Sequence, residues 1–384
     1  MTLKAAKRGA ISPFIVMDVM RAANARQAAG EDVLHMEVGQ PSTPAPSKVL
    51  AAARAALDQE LLGYTDAFGV TLLKERIAKQ YLDAYGVRID PARIAVTTGS
   101  SGGFILAFLA AFDAGDRVAL ASPGYPAYRN ILKALDIEVV DILTGPETDF
   151  QPTPALLEKI DGRLDGLIIA SPSNPTGTMI DREGLAALAA YCRERGVRIV
   201  SDEIYHGITF EEPAHTMAEF DDECFVVNSF SKYYSMTGWR LGWLVFPESL
   251  SRSVECLAQN LFISAPTLSQ IAAVAAFDCK AELDANVARY KANRDILLQA
   301  LPEAGFDKLS HAQGAFYVYA DVAHLTDDSQ ALCKKILKET GVAVTPGVDF
   351  DPERGHRSVR FSFAGSTEDM AEAVRRLKAF RQAS

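Results

Sequence analysis

One lysine lies among hydroxyl groups and an arginine within residues 229–240, which read Ser-Phe-Ser-Lys-Tyr-Tyr-Ser-Met-Thr-Gly-Trp-Arg. A lysine amine condenses with an aldehyde only when it is deprotonated, so surroundings that lower the pKa of Lys232 would favour a Schiff base. Ser229 and Ser231 offer hydrogen bonds to an anionic oxygen, and Arg240 offers a planar group that suits phosphate. The stretch therefore predicts a reactive lysine beside a phosphate site, against the alternative of a surface lysine on a polar loop.

Short apolar runs precede this stretch and several other groups of polar residues. Residues 224–227 are predicted to form a buried strand that leads into Ser229, and similar runs are predicted at 94–97, 117–121, 167–170 and 198–200. In an open α/β sheet, ligands bind at the carboxyl ends of the strands. The polar groups that follow these runs are Ser100, Ser101, Tyr125, Asn174, Asp202, Tyr205, Ser229, Ser231 and Lys232.

For residues 99–103 and for Asp202, the chemistry of the residues themselves favours a place in a binding site. Residues 99–103 join a strand to an apolar helix, and free backbone N–H groups at a helix start bind anions, although an ordinary capped helix is the alternative. Asp202 at the end of a buried strand needs a cationic partner, and a protonated pyridine nitrogen would provide one. The alternative for Asp202 is a cap on a helix at residues 203–207.

The motifs, taken in their order along most of the chain, resemble those of class I and II aminotransferases, which are pyridoxal-phosphate enzymes of fold type I. The resemblance implies an α/β fold in which a mostly parallel sheet is sandwiched by helices in a large domain, with a small α+β domain beside it. The residues that carry it are Tyr64, Thr98-Gly99-Ser100-Ser101, Pro123-Gly124-Tyr125-Pro126, Ser173-Asn174-Pro175-Thr176-Gly177, Ser201-Asp202-Glu203-Ile204-Tyr205, the stretch 229–240 and Arg360.

The resemblance also implies a role for each matching residue. Lys232, Asp202 and Tyr205 would be catalytic, with Lys232 holding the cofactor as an aldimine, and Gly39, Asn174 and Arg360 would bind the substrate. Tyr64 would reach the cofactor of the other subunit, which implies a homodimer with shared sites. The implied cofactor-binding residues are Tyr64, Ser100, Ser101, Tyr125, Asn174, Asp202, Tyr205, Ser229, Ser231, Lys232 and Arg240. Four of these residues also have a plainer alternative. Tyr64 could be a packing residue, Tyr125 a packed aromatic in a rigid turn, Asn174 part of a turn, and Arg360 a packed edge residue.

The reaction that the resemblance implies has two alternatives, one a different reaction of the same cofactor and one a protein that is not an enzyme. The implied reaction moves an amino group from an amino acid to a 2-oxo acid. The same cofactor also supports elimination of a β-substituent, so a carbon–sulfur β-lyase is the alternative. A non-enzyme alternative is the aminotransferase-like sensing domain of a transcription regulator, but the 38 residues before Gly39 leave little room for a DNA-binding domain.

Composition narrows the class of protein. The chain has 384 residues, of which 48% are hydrophobic and 23% charged, which predicts a globular protein with sizeable cores. The formal net charge of −10 argues against binding to nucleic acid. No run approaches the roughly 20 apolar residues of a membrane span, and no secretory signal is evident. The five cysteines and six histidines show no metal-ligand spacing, so we expect a cytoplasmic enzyme without a metal.

Hydrophobic periodicity predicts the remaining elements and the domain division. Helices are expected at 11–28, 47–59, 70–85, 99–112, 181–195, within 248–301, and at 367–382, with strands at 35–38, 241–246, 315–321, 341–345 and 358–363. Residues 39–283 are expected to form the large domain, and residues 1–38 with 284–384 the small one. The substrate cleft should lie between the two domains.

Two observations predict a neutral amino donor with an apolar side chain. An arginine that binds a distal carboxylate in the aspartate branch of the family would align with Asn260, and no arginine lies near that position. The N-terminal segment that should line the pocket is apolar, with Ile11, Pro13, Phe14, Ile15 and Val16. A charged side chain would lose water there without gaining a partner.

Overall fold

Strands and helices alternate along most of the chain in the computed structural model, which describes residues 3–383. The strands are β1 (Leu34–His35), β2 (Ile94–Thr97), β3 (Arg117–Ser122), β4 (Glu138–Leu143), β5 (Gly166–Ala170), β6 (Arg198–Asp202), β7 (Phe225–Ser229), β8 (Gly242–Val245), β9 (Lys308–Leu309), β10 (Tyr317–Asp321), β11 (Val342–Ala343), β12 (Thr345–Pro346) and β13 (Ser358–Ser362). The α-helices are α1 (Ile15–Ala28), α2 (Ser47–Gln59), α3 (Thr71–Tyr85), α4 (Gly99–Ala111), α5 (Pro126–Ala134), α6 (Pro154–Leu157), α7 (Arg182–Arg195), α8 (Ser251–Leu261), α9 (Thr267–Val274), α10 (Lys280–Ala300), α11 (Ser329–Thr340) and α12 (Thr367–Ala383).

The main sheet has seven strands in the order β2-β8-β7-β6-β5-β3-β4. β8 runs antiparallel to both of its neighbours, and the other strand pairs of this sheet are parallel. The carboxyl ends of β2, β3, β5, β6 and β7 therefore lie at one edge, where β8 begins. The expectation of a mostly parallel sheet sandwiched by helices is confirmed.

Successive residues of the buried strands enter opposite cores. Leu167 and Ile169 of β5 pack in one apolar cluster together with residues of α2, α3 and α7, whereas Ile168 packs in the other with residues of α4 and α5. This alternation follows from the two-residue period of a strand. Because both faces are covered, these strands are apolar throughout, which made them recognisable in the sequence.

A second sheet has four strands in the order β12-β13-β10-β9. In a third, two-stranded sheet, β1 pairs in parallel with β11. Leu34 and Met36 pack in the apolar core of this C-terminal part, so the N-terminal segment joins it. α10 runs across both cores, because it contributes Leu283 to the first and Leu297 to the second. The division at residues 39 and 283 stays a prediction.

Several expected elements change in extent, and others were not predicted. The helix expected at 11–28 begins at Ile15, with extended chain before it, and the strand expected at 35–38 is only β1. The elements β4, α5 and α11 were not predicted from the sequence. β4 is an edge strand with mixed burial, so it lacks the apolar run that identified its neighbours. No helix in the described range 3–383 is long and apolar enough to cross a membrane.

A buried carboxylate fixes the turn that follows β6. Glu203 accepts hydrogen bonds through Oε1 from the hydroxyls of Ser201 and Thr216 and from the backbone N–H of Met217, at 2.8–3.1 Å. Its Oε2 is buried without a hydrogen-bond partner and lies 3.5 Å from Nδ1 of His206. Burial raises the pKa of Glu203 to about 8 and lowers the pKa of His206 to about 4, so both are neutral in the fold near neutral pH.

We predict that Glu203→Gln changes the pH dependence of folding. Because the pKa of Glu203 is raised from 4.5 to about 8, its contribution to stability is complete below pH 4.5 and is lost as the pH rises through about 8. The free energy of unfolding of Glu203→Gln minus that of the wild type should increase by on the order of 5 kcal/mol between acidic and mildly alkaline pH. Urea unfolding of the cofactor-free proteins across that range measures it, and a constant difference would contradict the prediction.

Candidate active site

A cavity of about 200 Å³ lies at the carboxyl edge of the main sheet, between that sheet and the C-terminal part. Residues from the turns after β2, β3, β5, β6 and β7 line it, together with the start of α1 and one residue each from β10 and β13. The expected site residues in the lining are Gly39, Ser100, Ser101, Tyr125, Asn174, Asp202, Tyr205, Ser231, Lys232, Arg240 and Arg360. The fold therefore brings most of the predicted set into one space.

Lys232 points into this cavity from the turn that follows β7. Its Nζ donates a 2.5 Å hydrogen bond to the carbonyl oxygen of Gly39, and it lies 5.8 Å from the ring centre of Tyr205. Removal from water lowers the pKa of Lys232 to about 8, and the positive charge of Arg360 acts in the same direction. An amine with this pKa is largely neutral in mildly alkaline solution, so it can act as a nucleophile or a base.

Asp202 is buried at the carboxyl end of β6. Its Oδ2 accepts a hydrogen bond from the hydroxyl of Tyr128, and its Oδ1 accepts one from the backbone N–H of Ile204 at 3.1 Å. Burial raises the pKa of Asp202 to about 6, and these hydrogen bonds and the charge of Lys232 only partly offset that effect. Residues 203–207 form a turn and no helix begins there, so Asp202 is not a helix cap.

Two tyrosines meet beside the lysine. The hydroxyl oxygens of Tyr205 and Tyr317 lie 2.8 Å apart, and burial raises the pKa of both groups. Tyr317 also lies against Gly39, where an added Cβ would collide with its hydroxyl. Gly39 is therefore required by close packing. Tyr317 was not predicted to be a site residue, and its place in a buried strand was the only available signal.

One end of the cavity presents groups that suit an anion. α4 begins there at Gly99, which has φ +72°, and the preceding Thr98 makes no side-chain cap. Ser100 and Ser101 lie in its first turn, so backbone N–H groups and hydroxyls occur together. The guanidinium of Arg240 packs over Gly99, since an added Cβ would lie 2.5 Å from its Nη2.

The two serines near Lys232 differ in position. Ser231 lines the cavity, whereas Ser229 is buried below it and does not contribute to the lining. The two hydroxyl oxygens are 2.8 Å apart, and the backbone N–H of Ser231 donates to Oγ of Ser229 at 3.0 Å. Ser229 therefore does not face the cavity itself and instead holds Ser231, which does.

Arg360 marks a second anion-binding position in the cavity. It lies on β13, which pairs with both β12 and β10, so it is not on an edge strand. Its Nη1 donates to Oδ1 of Asn174 at 2.8 Å, and its guanidinium stacks 4.3 Å from the ring centre of Tyr317. Its Nε is buried without a hydrogen-bond partner. This fixed and incompletely paired fork can bind a carboxylate in two-point fashion.

The remaining wall is apolar and differs in detail from the expected one. Phe14 and Val16 line the cavity as predicted, but Ile11, Pro13 and Ile15 do not. The reason is that α1 begins at Ile15, so its helical period turns Val16, Met17 and Met20 toward the cavity. Ile11 is 48% exposed. Asn260 lies on α8, outside the lining, and bonds to the carbonyl oxygen of Cys256.

Tyr125 and Tyr64 have very different surroundings. Tyr125 lines the cavity, where it makes edge contacts with Phe14 at 5.8 Å and with Tyr128 at 5.3 Å between ring centres. Tyr128 was missed by the sequence analysis, although it lies one helical turn after Tyr125. Tyr64 is 84% exposed and does not line the cavity of its own chain.

This donor set fits pyridoxal phosphate. The uncapped start of α4 with Arg240 suits a phosphate, and the buried carboxylate of Asp202 suits a protonated ring nitrogen. The amine of Lys232 suits an aldehyde, and the ring of Tyr125 offers a flat surface. Arg360 remains for a carboxylate of the substrate.

Comparisons with known proteins agree with this chemistry. The sequence profile of the family described as "Aminotransferase class I and II" matches residues 31–377. The chain is 53% identical over 381 residues to a valine–pyruvate aminotransferase of Mycobacterium tuberculosis, covering 98% of each chain. The crystal structure of an aminotransferase from Mycobacterium tuberculosis superposes with a TM-score of 0.98 at 52% identity, covering 100% of both chains.

A more distant relative shares the same fold. The aspartate aminotransferase of Thermus thermophilus, solved with maleate, has a TM-score of 0.93 at 30% identity, covering 98% of this chain and 100% of that one. The relatives named here are all aminotransferases, and none is a lyase. This chain belongs to the class I and II aminotransferases, enzymes of fold type I that use pyridoxal phosphate to move an amino group from an amino acid to a 2-oxo acid.

Proposed function

We propose that the enzyme takes its amino group from a neutral amino acid with an apolar side chain. The observation that carries this proposal is the distribution of charge in the cavity. Arg240 and Arg360 are the only arginines among the described residues of its lining, and Lys232 is the only lysine. The guanidinium of Arg240 packs against the start of α4, Arg360 is needed for the α-carboxylate and Lys232 for the cofactor. No cation therefore remains for a second carboxylate.

The apolar wall supports the same donor class. Phe14, Val16, Met17 and Met20 would contact the substrate side chain, and complete burial of a medium-sized apolar side chain is worth about 1.5–3 kcal/mol. A charged side chain would be desolvated there without compensation. The similarity to a valine–pyruvate aminotransferase also supports a branched apolar donor and a small 2-oxo acid acceptor.

Each end of the cavity would hold one part of the cofactor. Ser100, Ser101, Ser231 and Arg240 would bind its phosphate, with Ser229 orienting Ser231 from below. Tyr125 would pack on its ring, and Asp202 would pair with the ring nitrogen. Asn174 and Tyr205 would hydrogen-bond its phenolic oxygen.

The chemistry then depends on proton transfer by residues of this chain. When bound, pyridoxal phosphate supplies an aldehyde that condenses with amines and a ring that withdraws electrons from the neighbouring carbon. Asp202, held by Tyr128 and Ile204, would maintain the ring's positive charge. Lys232 would take the proton from Cα of the amino acid, and its lowered pKa supports that role. Arg360 and Asn174 would hold the α-carboxylate, with the backbone of Gly39 beside it.

We further propose a homodimer in which Tyr64 completes the phosphate site of the partner subunit. Its high exposure in one chain supports this, because a tyrosine that served internal packing would be covered. Large apolar side chains nearby are also exposed, including Leu57, Leu61 and Ile263. The hydroxyl of Thr267 bonds to the carbonyl oxygen of Gly63, which joins the two segments that carry them. Such a surface is typical of a permanent interface.

A cytoplasmic location is also proposed. All five cysteines are free thiols, and four of them are buried. Unpaired buried thiols are typical of proteins from reducing compartments.

The donor class can be tested with the purified enzyme. We expect kcat/KM for valine, leucine and alanine to exceed that for aspartate and glutamate by at least about tenfold, because the cavity offers no second cation. The measurement is the conversion of the bound cofactor to its amine form with each amino acid. A preference for aspartate would refute the proposed donor class while leaving the transamination reaction intact.

Asp202→Asn should separate stability from activity. Since the pKa of Asp202 is raised from 3.8 to about 6, ionisation of this group costs folding stability above pH 6 and costs nothing below pH 3.8. At pH 8 the cofactor-free variant should therefore be more stable than the wild type by on the order of 2–3 kcal/mol, and the difference should vanish as the pH falls toward 4. Its amino transfer should be slower by several orders of magnitude. Near-normal single-turnover rates would remove Asp202 from the chemistry.

The shared site can be tested by mixing two impaired variants. Lys232→Ala and Tyr64→Phe chains would form mixed dimers in which one site lacks both groups and the other is intact. Random exchange should restore about a quarter of the wild-type sites. Activity is compared with that of each variant alone, and no gain above the Tyr64→Phe level, with that variant clearly impaired, would count against the arrangement.

A further inference from the structure

The start of α1 is held by a side chain that comes from far along the sequence. The carboxylate of Asp349 accepts hydrogen bonds from the backbone N–H groups of Ile15 and Val16, each at 3.0 Å, one through each oxygen. Phe14, at the N-cap position, makes no side-chain cap of its own. Asp349 therefore takes the place of a local cap and satisfies two donors that a helix start leaves free.

The two halves of α1 are anchored differently. Toward its end, Ala23 packs in a small cluster with Val33 and Leu337, and Arg26 contacts Glu31. The first half carries the residues that line the cavity, and of these only Val16 is fully buried. Apart from Asp349, the polar contacts of the neighbouring segment are exposed ones, from Asn130 to Ser12 and from Arg8 to Asp136.

The turn that carries Asp349 also touches the carboxylate-binding arginine. Asp349 ends the short helical turn Gly347–Asp349, which follows β12. The next residue, Phe350, lies with its ring centre 4.7 Å from the guanidinium of Arg360. One turn thus contacts both the start of α1 and the group that binds the substrate carboxylate.

We infer that Asp349 is a positioning residue for donor specificity: by holding the start of α1, it places Phe14, Val16, Met17 and Met20 against the donor's side chain. This inference rests on the proposed apolar donor. Loss of the clamp should let the first turn of α1 move away from the cavity, because its other contacts there are the apolar ones of Phe14 and Val16. Alanine has only a methyl group to place against this wall, so its turnover depends least on the position of α1.

The test compares three donors in the holoenzyme of Asp349→Ala, Asp349→Asn and the wild type. For Asp349→Ala we expect kcat/KM for valine and leucine to fall about tenfold relative to that for alanine, mainly through KM. Asp349→Asn retains one acceptor oxygen and should show a smaller loss. Hydrogen exchange of the peptide covering residues 14–20 should be faster in Asp349→Ala.

Asp328→Ala is the matched control. Asp328 caps α11 by accepting from the backbone N–H of Ala331 at 2.9 Å, and it does not line the cavity. Its loss should lower stability without changing the ratio among donors or the exchange of residues 14–20. Asp349→Asn keeps the test usable if Asp349→Ala does not fold.

Two outcomes would overturn the inference. Wild-type kcat/KM values for all three donors in Asp349→Ala would mean that the clamp does not set specificity. An equal loss for all three donors would mean that Asp349 acts by positioning Arg360, because every donor carries an α-carboxylate. A wild-type preference for aspartate would instead refute the proposed donor class, and the leucine-to-alanine ratio would still report on Asp349.

Discussion

The site depends on a negative charge that the fold holds away from water. Asp202 lies at the end of an interior strand, and its two hydrogen bonds, from Tyr128 and Ile204, leave the pKa still raised to about 6. A carboxylate in this state is stabilised further by a cation placed beside it. The neighbouring buried Glu203, whose pKa is raised to about 8, stays mostly protonated near neutral pH and adds little competing charge. The turn thus carries one carboxylate available for a cation and one neutral acid that holds the backbone.

Lys232 complements that charge at the other side of the cavity. Its pKa is lowered to about 8 chiefly by burial, and Arg360 adds to the effect. The same arginine is held by Asn174 and stacks on Tyr317, whose hydroxyl meets that of Tyr205. The amine of Lys232, the guanidinium of Arg360 and the two tyrosines therefore form one connected set, in which a change at one member alters the electrostatics or position of another.

Local patterns identified the parts of the site that follow buried strands. Asn174, Asp202 and Lys232 could be predicted because an apolar run immediately before each one places it at the carboxyl edge of the sheet. Tyr317 and Asp349 could not be predicted in this way, since they reach the site through contacts between distant segments. Tyr128 does not follow a strand directly and lies one helical turn after Tyr125. The bounds of α1 were wrong at its start because its cap comes from residue 349, beyond any local signal. Edge strand β4 was missed because only a buried strand is apolar on both faces.

The antiparallel direction of β8 has a further consequence. The chain leaves the sheet at the end of β7, carries Lys232 through a tight loop, and returns at the same edge with Arg240 just before β8. The amine of Lys232 and the guanidinium of Arg240 therefore both come from the loop between two paired strands. Arg360 belongs to the separate β12-β13-β10-β9 sheet. A hinge movement of that second sheet would change the reach from Lys232 to Arg360 but would leave the spacing of Lys232 and Arg240 untouched. With the roles proposed for these residues, such a movement would shift the substrate's carboxylate relative to the lysine and leave the contacts to the cofactor unchanged.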